Sequence, residues 1–70
     1  MPRAWDLLGN AYLRKKEPAK ATEAFRKILE IAPKDPRGLY LVGTGLRAEG
    51  KHAEARKLFE EVLVLSPQAV

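Results

Sequence analysis

Apolar residues return along the chain at the spacing of an α-helix. In the first segment four residues fall at positions i, i+3, i+4 and i+7 and therefore share one side of a helix: Trp5, Leu8, Gly9 and Tyr12. The pattern predicts a helix from roughly Arg3 to Lys16, with Pro2 suited to the first helical position, where its missing N–H group loses no partner. Glu17-Pro18 should end this helix, because a residue that precedes proline avoids the α-helical region.

A second apolar stripe predicts a helix from about Pro18 to Ala32, which Pro33 stops. The members of this stripe are Ala21, Ala24, Phe25, Ile28 and Leu29. The stretch Lys34-Asp35-Pro36 then indicates a new helix start, because aspartate is a favoured N-cap and proline fits the first helical position.

The third predicted helix extends from this start to about Glu49, and Gly50 supplies a left-handed C-terminal cap. The fourth spans about His52 to Ser66 and is ended by Pro67. Its apolar residues are Ala55, Phe59, Val62, Leu63 and Leu65. Four helical segments joined by three short turns predict an all-α chain.

The second half of the chain repeats the framework of the first half at an offset of 34 residues. Gly9 recurs as Gly43, Ala21 as Ala55, Phe25 as Phe59, Leu29 as Leu63 and Pro33 as Pro67. A fixed period of this length is typical of repeat architectures. We therefore expect one domain over residues 1–70, made of two helical hairpins at about 2–35 and 36–69.

The small residues suggest how each hairpin closes. Glycine inside a helix costs about 0.5–1 kcal/mol relative to alanine, so a glycine that recurs in register needs a packing reason. We expect Gly9 to pack against Ala21, so that the two helices approach closely while Trp5, Tyr12 and Phe25 fill the space on either side.

The first copy reads Trp5-x2-Leu8-Gly9-x2-Tyr12, then Ala21-x3-Phe25, then Pro33, and in this it resembles the tetratricopeptide repeat family. The second copy is degenerate, because the aromatic-rich positions hold Leu39, Val42 and Leu46. The resemblance implies two antiparallel helix-turn-helix units stacked as a short right-handed α-solenoid. It also implies a non-catalytic scaffold, without a cofactor, that binds a peptide or helix in a concave groove lined by the first helix of each repeat.

The family's groove positions fall on both first helices. They are Arg3, Asp6, Asn10, Leu13 and Arg14 in the first repeat and Arg37, Tyr40, Thr44, Arg47 and Ala48 in the second, with Leu7 and Leu41 at the edge. Four arginines opposed by a single aspartate favour an acidic or C-terminal peptide, because guanidinium groups bind carboxylates bidentately. The leucines and the tyrosine suit an amphipathic helix or an apolar peptide equally well. Both ligand classes stay open.

One subclass of the family binds chaperone C-termini through a clamp of lysines, asparagines and an arginine. Asn10 matches that clamp, but Asp6 stands where its first lysine would be and Leu41 where its second asparagine would be. A chaperone tail is therefore not the expected ligand.

Composition limits the other functions. The 70 residues carry 13 Lys and Arg against 9 Asp and Glu, a net charge of +4, and no cysteine. No apolar run approaches the roughly 20 residues of a membrane span, so we expect a soluble, cytoplasmic protein. His52 has no clustered ligands for a metal site, Gly43-Thr44-Gly45 lacks the lysine of a phosphate loop, and no acid, base and nucleophile set indicates an enzyme. Nucleic acid is not favoured, because aromatic stacking platforms are missing.

The ends of the repeat pair raise a further question. Each repeat buries its side surface only against a neighbouring repeat, so the last helix should expose an end face formed by Val62, Leu63 and Leu65. Such a patch marks an interface. Either the chain is part of a longer array, or it associates with copies of itself; the corresponding functions are a groove-binding interaction module and a structural, self-associating segment.

Overall fold

A computed structural model describes residues 2–66, and the side chains of residues 4–66. The chain forms four α-helices: α1 Pro2–Arg14, α2 Pro18–Ile31, α3 Pro36–Ala48 and α4 His52–Leu65. There is no strand in residues 2–66. Consecutive helices pack against each other, α1 on α2, α2 on α3 and α3 on α4. The predicted all-α architecture is confirmed, whereas Pro67, predicted to end the last helix, lies outside the described residues.

The helix starts follow the local sequence. Pro18 and Pro36 occupy the first turns of α2 and α3. The carboxylate of Asp35 accepts a hydrogen bond of 3.0 Å from the backbone N–H group of Arg37. Asp35 therefore acts as the predicted N-cap, satisfying one of the donors that the first turn of a helix leaves without a partner.

Helices α1 and α3 end in the same way. The N–H group of Glu17 donates to the carbonyl of Tyr12, and the N–H group of Lys51 donates to the carbonyl of Leu46, each at 2.9 Å. These bonds close a Schellman motif, which needs a left-handed residue just before the donor. Gly50 takes that place in the second repeat, with φ 86°, as predicted.

The equivalent residue in the first repeat is Lys16, with φ 62°. The prediction that the first helix continues to Lys16 is therefore wrong, because the left-handed conformation of this lysine ends the helix. A side chain is disfavoured in this region, since its Cβ atom crowds the following carbonyl.

The hydrophobic core lies where the two hairpins meet. Its buried members are Ala21, Phe25 and Ile28 of α2, Val42 and Leu46 of α3, and Ala55 of α4. Partly buried residues of all four helices surround this cluster, among them Trp5, Tyr12 and Leu58. The interface between the repeats is thus part of the core itself, and neither hairpin buries its apolar residues alone.

The close approach within each hairpin differs from the expected glycine–alanine contact. A Cβ atom placed on Gly9 would have three ring atoms of Phe25 as its nearest neighbours, with Cδ1 at 2.6 Å. At Gly43 the nearest neighbours are ring atoms of Phe59, with Cε1 at 2.7 Å. The phenylalanine ring, and not the expected Ala21, is therefore the reason for a glycine at this position. Any other residue would place its Cβ atom closer to the ring than real Cβ atoms come to other atoms.

The exposed end of α4 also differs from the prediction in one residue. Leu63 and Leu65 are exposed, as expected, but Val62 is buried. Val62 follows Ala55 by seven residues, two helical turns, and so shares the inner side of α4 with that core alanine. The apolar residue that extends the exposed end is Val64, which is 78% exposed.

Candidate protein-binding surface

An ion pair joins the first helices of the two repeats. The guanidinium group of Arg37 on α3 contacts the carboxylate of Asp6 on α1. Asn10, one turn further along α1, donates a hydrogen bond of 3.1 Å from Nδ2 to the other carboxylate oxygen of Asp6. The side chain of Asp6 is only 12% exposed, whereas that of Arg37 is 71% exposed. Three predicted groove residues are therefore bonded to one another.

The two helices joined by this ion pair also carry exposed apolar side chains. Leu7, the neighbour of Asp6, is 66% exposed, and Tyr40, one turn after Arg37, is 55% exposed. The ring of Tyr40 packs against Phe59 of α4, with ring centroids 5.5 Å apart and planes inclined by 49°. Phe59 thus supports the Tyr40 ring, and the exposed part of the Tyr40 side chain remains accessible to a ligand.

The remaining predicted groove residues divide into several environments. Thr44 donates a hydrogen bond of 3.0 Å from its hydroxyl to the Tyr40 carbonyl within the same helix. Leu13 packs partly against the core, as does Leu41. Ala48 is exposed at the end of α3. Arg3 belongs to α1, but its side chain lies outside the described residues.

Arg14 and Arg47 do not line a common depression. Arg14 borders an open depression of about 550 Å³ along α1, together with Leu7, Asn10 and Ala11. Arg47 instead borders a depression of about 340 Å³ between α3 and α4. These two predicted groove arginines therefore lie on different surfaces.

The depression between α3 and α4 forms a second candidate surface, which we call the α4 outer surface. It is lined by Arg47, His52, Ala55, Arg56, Phe59, Glu60 and Leu63. The sequence analysis did not predict that Arg56 lines this depression, although the 34-residue period aligns it with Thr22, which α3 covers.

A third depression, of about 300 Å³, lies between α1 and α2 on the opposite end of the pair. Trp5, Leu8 and Tyr12 form its apolar floor, and Lys20 lies at its edge. The Lys20 ammonium group lies 5.9 Å from the centre of the Tyr12 ring and 3.0 Å from the Glu17 carboxylate. The hydrogen bond and the charge of Glu17 raise the pKa of Lys20 above its usual value.

Metal ligands do not cluster in the described part of the chain, where no group of three or more His, Cys, Asp or Glu side chains could hold an ion. Within residues 2–66 no helix combines the length and the apolar character that a membrane span requires.

Comparison with known proteins gives two matches. The sequence profile described as "Tetratricopeptide repeat" matches residues 2–35. The cytochrome c-type biogenesis protein CycH of Rhizobium meliloti (strain 1021) is 43% identical over 49 residues, which cover 70% of this chain. The same residues are 13% of CycH, so the chain is similar to a small part of that relative.

Proposed function

Because the chain belongs to the tetratricopeptide repeat family, whose members mediate protein–protein interactions, we propose that it binds an amphipathic helix or peptide along α1 and α3. The proposed contact residues are Leu7 on α1 and Tyr40 on α3, the two helices that the Asp6–Arg37 ion pair joins. Asn10 and Arg14 border the same face and provide polar contacts.

The Asp6–Arg37 ion pair is the observation that favours an amphipathic ligand over an acidic one. Asp6 is held by both Arg37 and Asn10, so an acidic ligand would have to compete with an intramolecular carboxylate for Arg37. An apolar ligand meets no such competitor. An exposed leucine side chain contributes about 1.5–3 kcal/mol when a partner buries it fully, and the tyrosine ring adds further apolar area, so these two residues favour an apolar stripe.

A panel of two synthetic peptides tests the proposal on the 70-residue chain. One peptide is a helix with leucines at positions i, i+4 and i+7, and the other is a glutamate-rich peptide of equal length. We expect the leucine peptide to bind and the double variant Leu7→Ser/Tyr40→Ser to lose about tenfold or more in affinity, the loss expected when about 1.4 kcal/mol of contact energy is removed.

The matched control is Ile31→Ser, which removes an equally exposed apolar side chain from α2, away from this face. It should leave the affinity unchanged. Tighter binding of the glutamate peptide, or an equal loss in the control variant, would contradict the proposed ligand class.

The similarity to CycH suggests the first partners to screen. That relative is named for cytochrome c biogenesis, and we propose polypeptides that take part in this process as candidate ligands of the groove. The cytoplasmic location expected from the sequence stays a prediction.

A further inference from the structure

The turn between α1 and α2, with its flanking residues, holds most of the net charge of the chain. Against the single carboxylate of Glu17 this segment sets four cations, Arg14, Lys15, Lys16 and Lys20. Its net charge is therefore +3, in a chain whose total is +4. Lys20 is paired with Glu17 at 3.0 Å. The other three cations are exposed, and none of them joins an ion pair within the described part of the chain.

The equivalent turn of the second repeat shows that the fold does not require these cations. The 34-residue period converts them into Ala48, Glu49 and Gly50. Both turns nevertheless close with the same backbone hydrogen bond of 2.9 Å. Cations at the C-terminal end of a helix complement its dipole, but α3 ends in the same way with a glutamate in this place. The charge of the first turn therefore needs a reason outside the turn itself.

The conformation of Lys16 supports this reasoning. Lys16 has φ 62°, and Gly50 adopts the same left-handed conformation at the equivalent position, with φ 86°. A Cβ atom is disfavoured there, so the lysine costs stability that a glycine would not. Residues held in a disfavoured backbone conformation are found most often at functional sites. The positive charge is the property of Lys16 that glycine lacks.

An apolar stripe on α1 leads up to this basic turn. Its members are three or four residues apart, share one side of the helix and are exposed; we call them the α1 outer side, and they are Ala4, Leu8, Ala11 and Lys15. Leu8 is 40% exposed. Trp5 and Tyr12 lie beside it and form, with it, the floor of the depression of about 300 Å³. The stripe thus places a leucine and two aromatic rings next to the cations.

Negative charge is nearly absent from the surface of α1. The helix has one carboxylate, that of Asp6, which is only 12% exposed and is paired with Arg37 of α3. The surface of a bilayer with anionic headgroups complements such a helix. Its headgroups attract lysine and arginine, while leucine, tryptophan and tyrosine favour the boundary between headgroups and acyl chains. A nucleic acid or a purely acidic peptide would use the cations alone.

We propose that the α1 outer side and the basic turn after it bind the surface of a phospholipid bilayer with anionic headgroups. Arg14, Lys15 and Lys16 contact the headgroups, and Leu8 enters the headgroup layer. Each cation near an anionic surface contributes about fivefold to the affinity, so three of them give roughly a hundredfold preference for anionic over neutral bilayers. The groove contacts Leu7 and Tyr40 take no part, and the proposal is therefore independent of peptide binding in the groove.

Vesicles of phosphatidylcholine, with and without phosphatidylserine, test the proposal on the 70-residue chain. Trp5 is the only tryptophan of the chain and lies on the proposed contact surface, so its fluorescence reports the contact directly. With the mixed vesicles alone we expect its emission to shift to shorter wavelengths and to be quenched by brominated acyl chains. Added salt should weaken the binding steeply, because it screens exposed charges.

Two substitutions remove charge from the turn. Lys16→Gly should weaken binding to the mixed vesicles about fivefold. Because glycine suits the left-handed position better than lysine, this variant should be at least as stable as the parent chain, and a loss of folding cannot explain weaker binding. Lys15→Gln in addition should bring the total loss to roughly 25-fold.

The matched controls each remove one charge from an exposed lysine in another turn. They are Lys34→Gln, at the other end of α2, and Lys51→Gln, in the equivalent turn of the second repeat. Both should have a much smaller effect on binding than Lys16→Gly. Equal losses in the controls would overturn the proposal, because net charge alone would then explain the binding. So would vesicle binding without quenching of Trp5, or equally tight binding to soluble polyglutamate or single-stranded DNA, since an acidic polymer would then be the occupant.

Discussion

The ring of Phe25 lies against the backbone of Gly9, and the ring of Phe59 lies against Gly43 in the equivalent place of the second repeat. Both glycines therefore serve to admit an aromatic ring from the second helix of their own hairpin. The two sites differ in burial, because Phe25 is fully buried whereas Phe59 is partly exposed. The same substitution should for this reason have unequal effects in the two repeats.

We expect Gly9→Ala to destabilise the chain by about 1–2 kcal/mol, because an overpacked core costs about 1–3 kcal/mol and the better helix propensity of alanine offsets part of it. Gly43→Ala should cost less, since the half-buried Phe59 ring can move toward solvent. Urea denaturation followed by circular dichroism measures both. A larger loss for Gly43→Ala than for Gly9→Ala would contradict this account.

The left-handed Lys16 gives a prediction of opposite sign. We expect Lys16→Gly to stabilise the chain by about 0.5–1 kcal/mol, because glycine adopts this conformation without the steric cost of a Cβ atom. The control is Lys15→Gly at the neighbouring turn residue, whose φ is negative and which should gain nothing. Thermal melts of the two variants check the difference, and equal midpoints would rule out backbone strain as its cause.

The sequence predicts the helices well where a residue type has a fixed conformational role. Asp35, Pro36 and Gly50 mark a start and an end, and the structure follows each of them. Lysine has no such conformational role, so the residue type of Lys16 does not indicate the end of a helix. Only its alignment with Gly50 across the 34-residue period reveals the left-handed position.

The candidate site was less predictable because it depends on packing between distant residues. Asp6 and Arg37 are 31 residues apart, and their contact exists only because α1 and α3 lie on the same side of the repeat pair. The sequence placed both residues in the groove but could not show that they bind each other. The burial of Val62, by contrast, follows from its position two helical turns after the core residue Ala55, a spacing that the sequence does show.

Neutralisation of Arg37 by Asp6 leads to a binding prediction. We expect Asp6→Asn to keep the contact with Asn10, to release Arg37 and to increase the affinity for a glutamate-rich peptide several-fold. Isothermal titration calorimetry at low salt measures the affinity of the peptide for both the parent chain and the variant. The stability change should be small, about 0.5–1 kcal/mol at most, because Arg37 is largely exposed and solvent screens the pair. An unchanged affinity would show that Asp6 does not control access to Arg37.

Lys20 gives a prediction about pH. Its pKa in the folded chain is raised by the hydrogen bond and the charge of Glu17. A raised folded pKa means that the pair stabilises the fold below the usual value of 10.5, and that this contribution is lost as the pH rises through the folded pKa. In an NMR titration Glu17→Gln should move the pKa of Lys20 back toward its usual value. An unaltered titration curve would exclude Glu17 as the cause.

The hydrogen bond between Thr22 and Glu49 connects the two repeats, and its removal should weaken their interface. Thr22 is buried on α2, and the carboxylate it contacts at 2.7 Å belongs to a side chain that is only 15% exposed. Thr22→Val keeps the shape but leaves that carboxylate with the more distant Lys51, at 3.7 Å. We expect a loss of about 1.5–3 kcal/mol, the range for hydrogen bonds to charged groups.

The control for this last substitution is Thr44→Val. The Thr44 hydroxyl is likewise a hydrogen-bond donor, but its acceptor, at 3.0 Å, is the carbonyl of Tyr40 one turn earlier in its own helix. Its loss should cost well under 1 kcal/mol, because the carbonyl keeps its helical partner and no contact between repeats is involved. If urea denaturation gave the same loss for both variants, the Thr22 hydroxyl would have no special role in joining the two repeats.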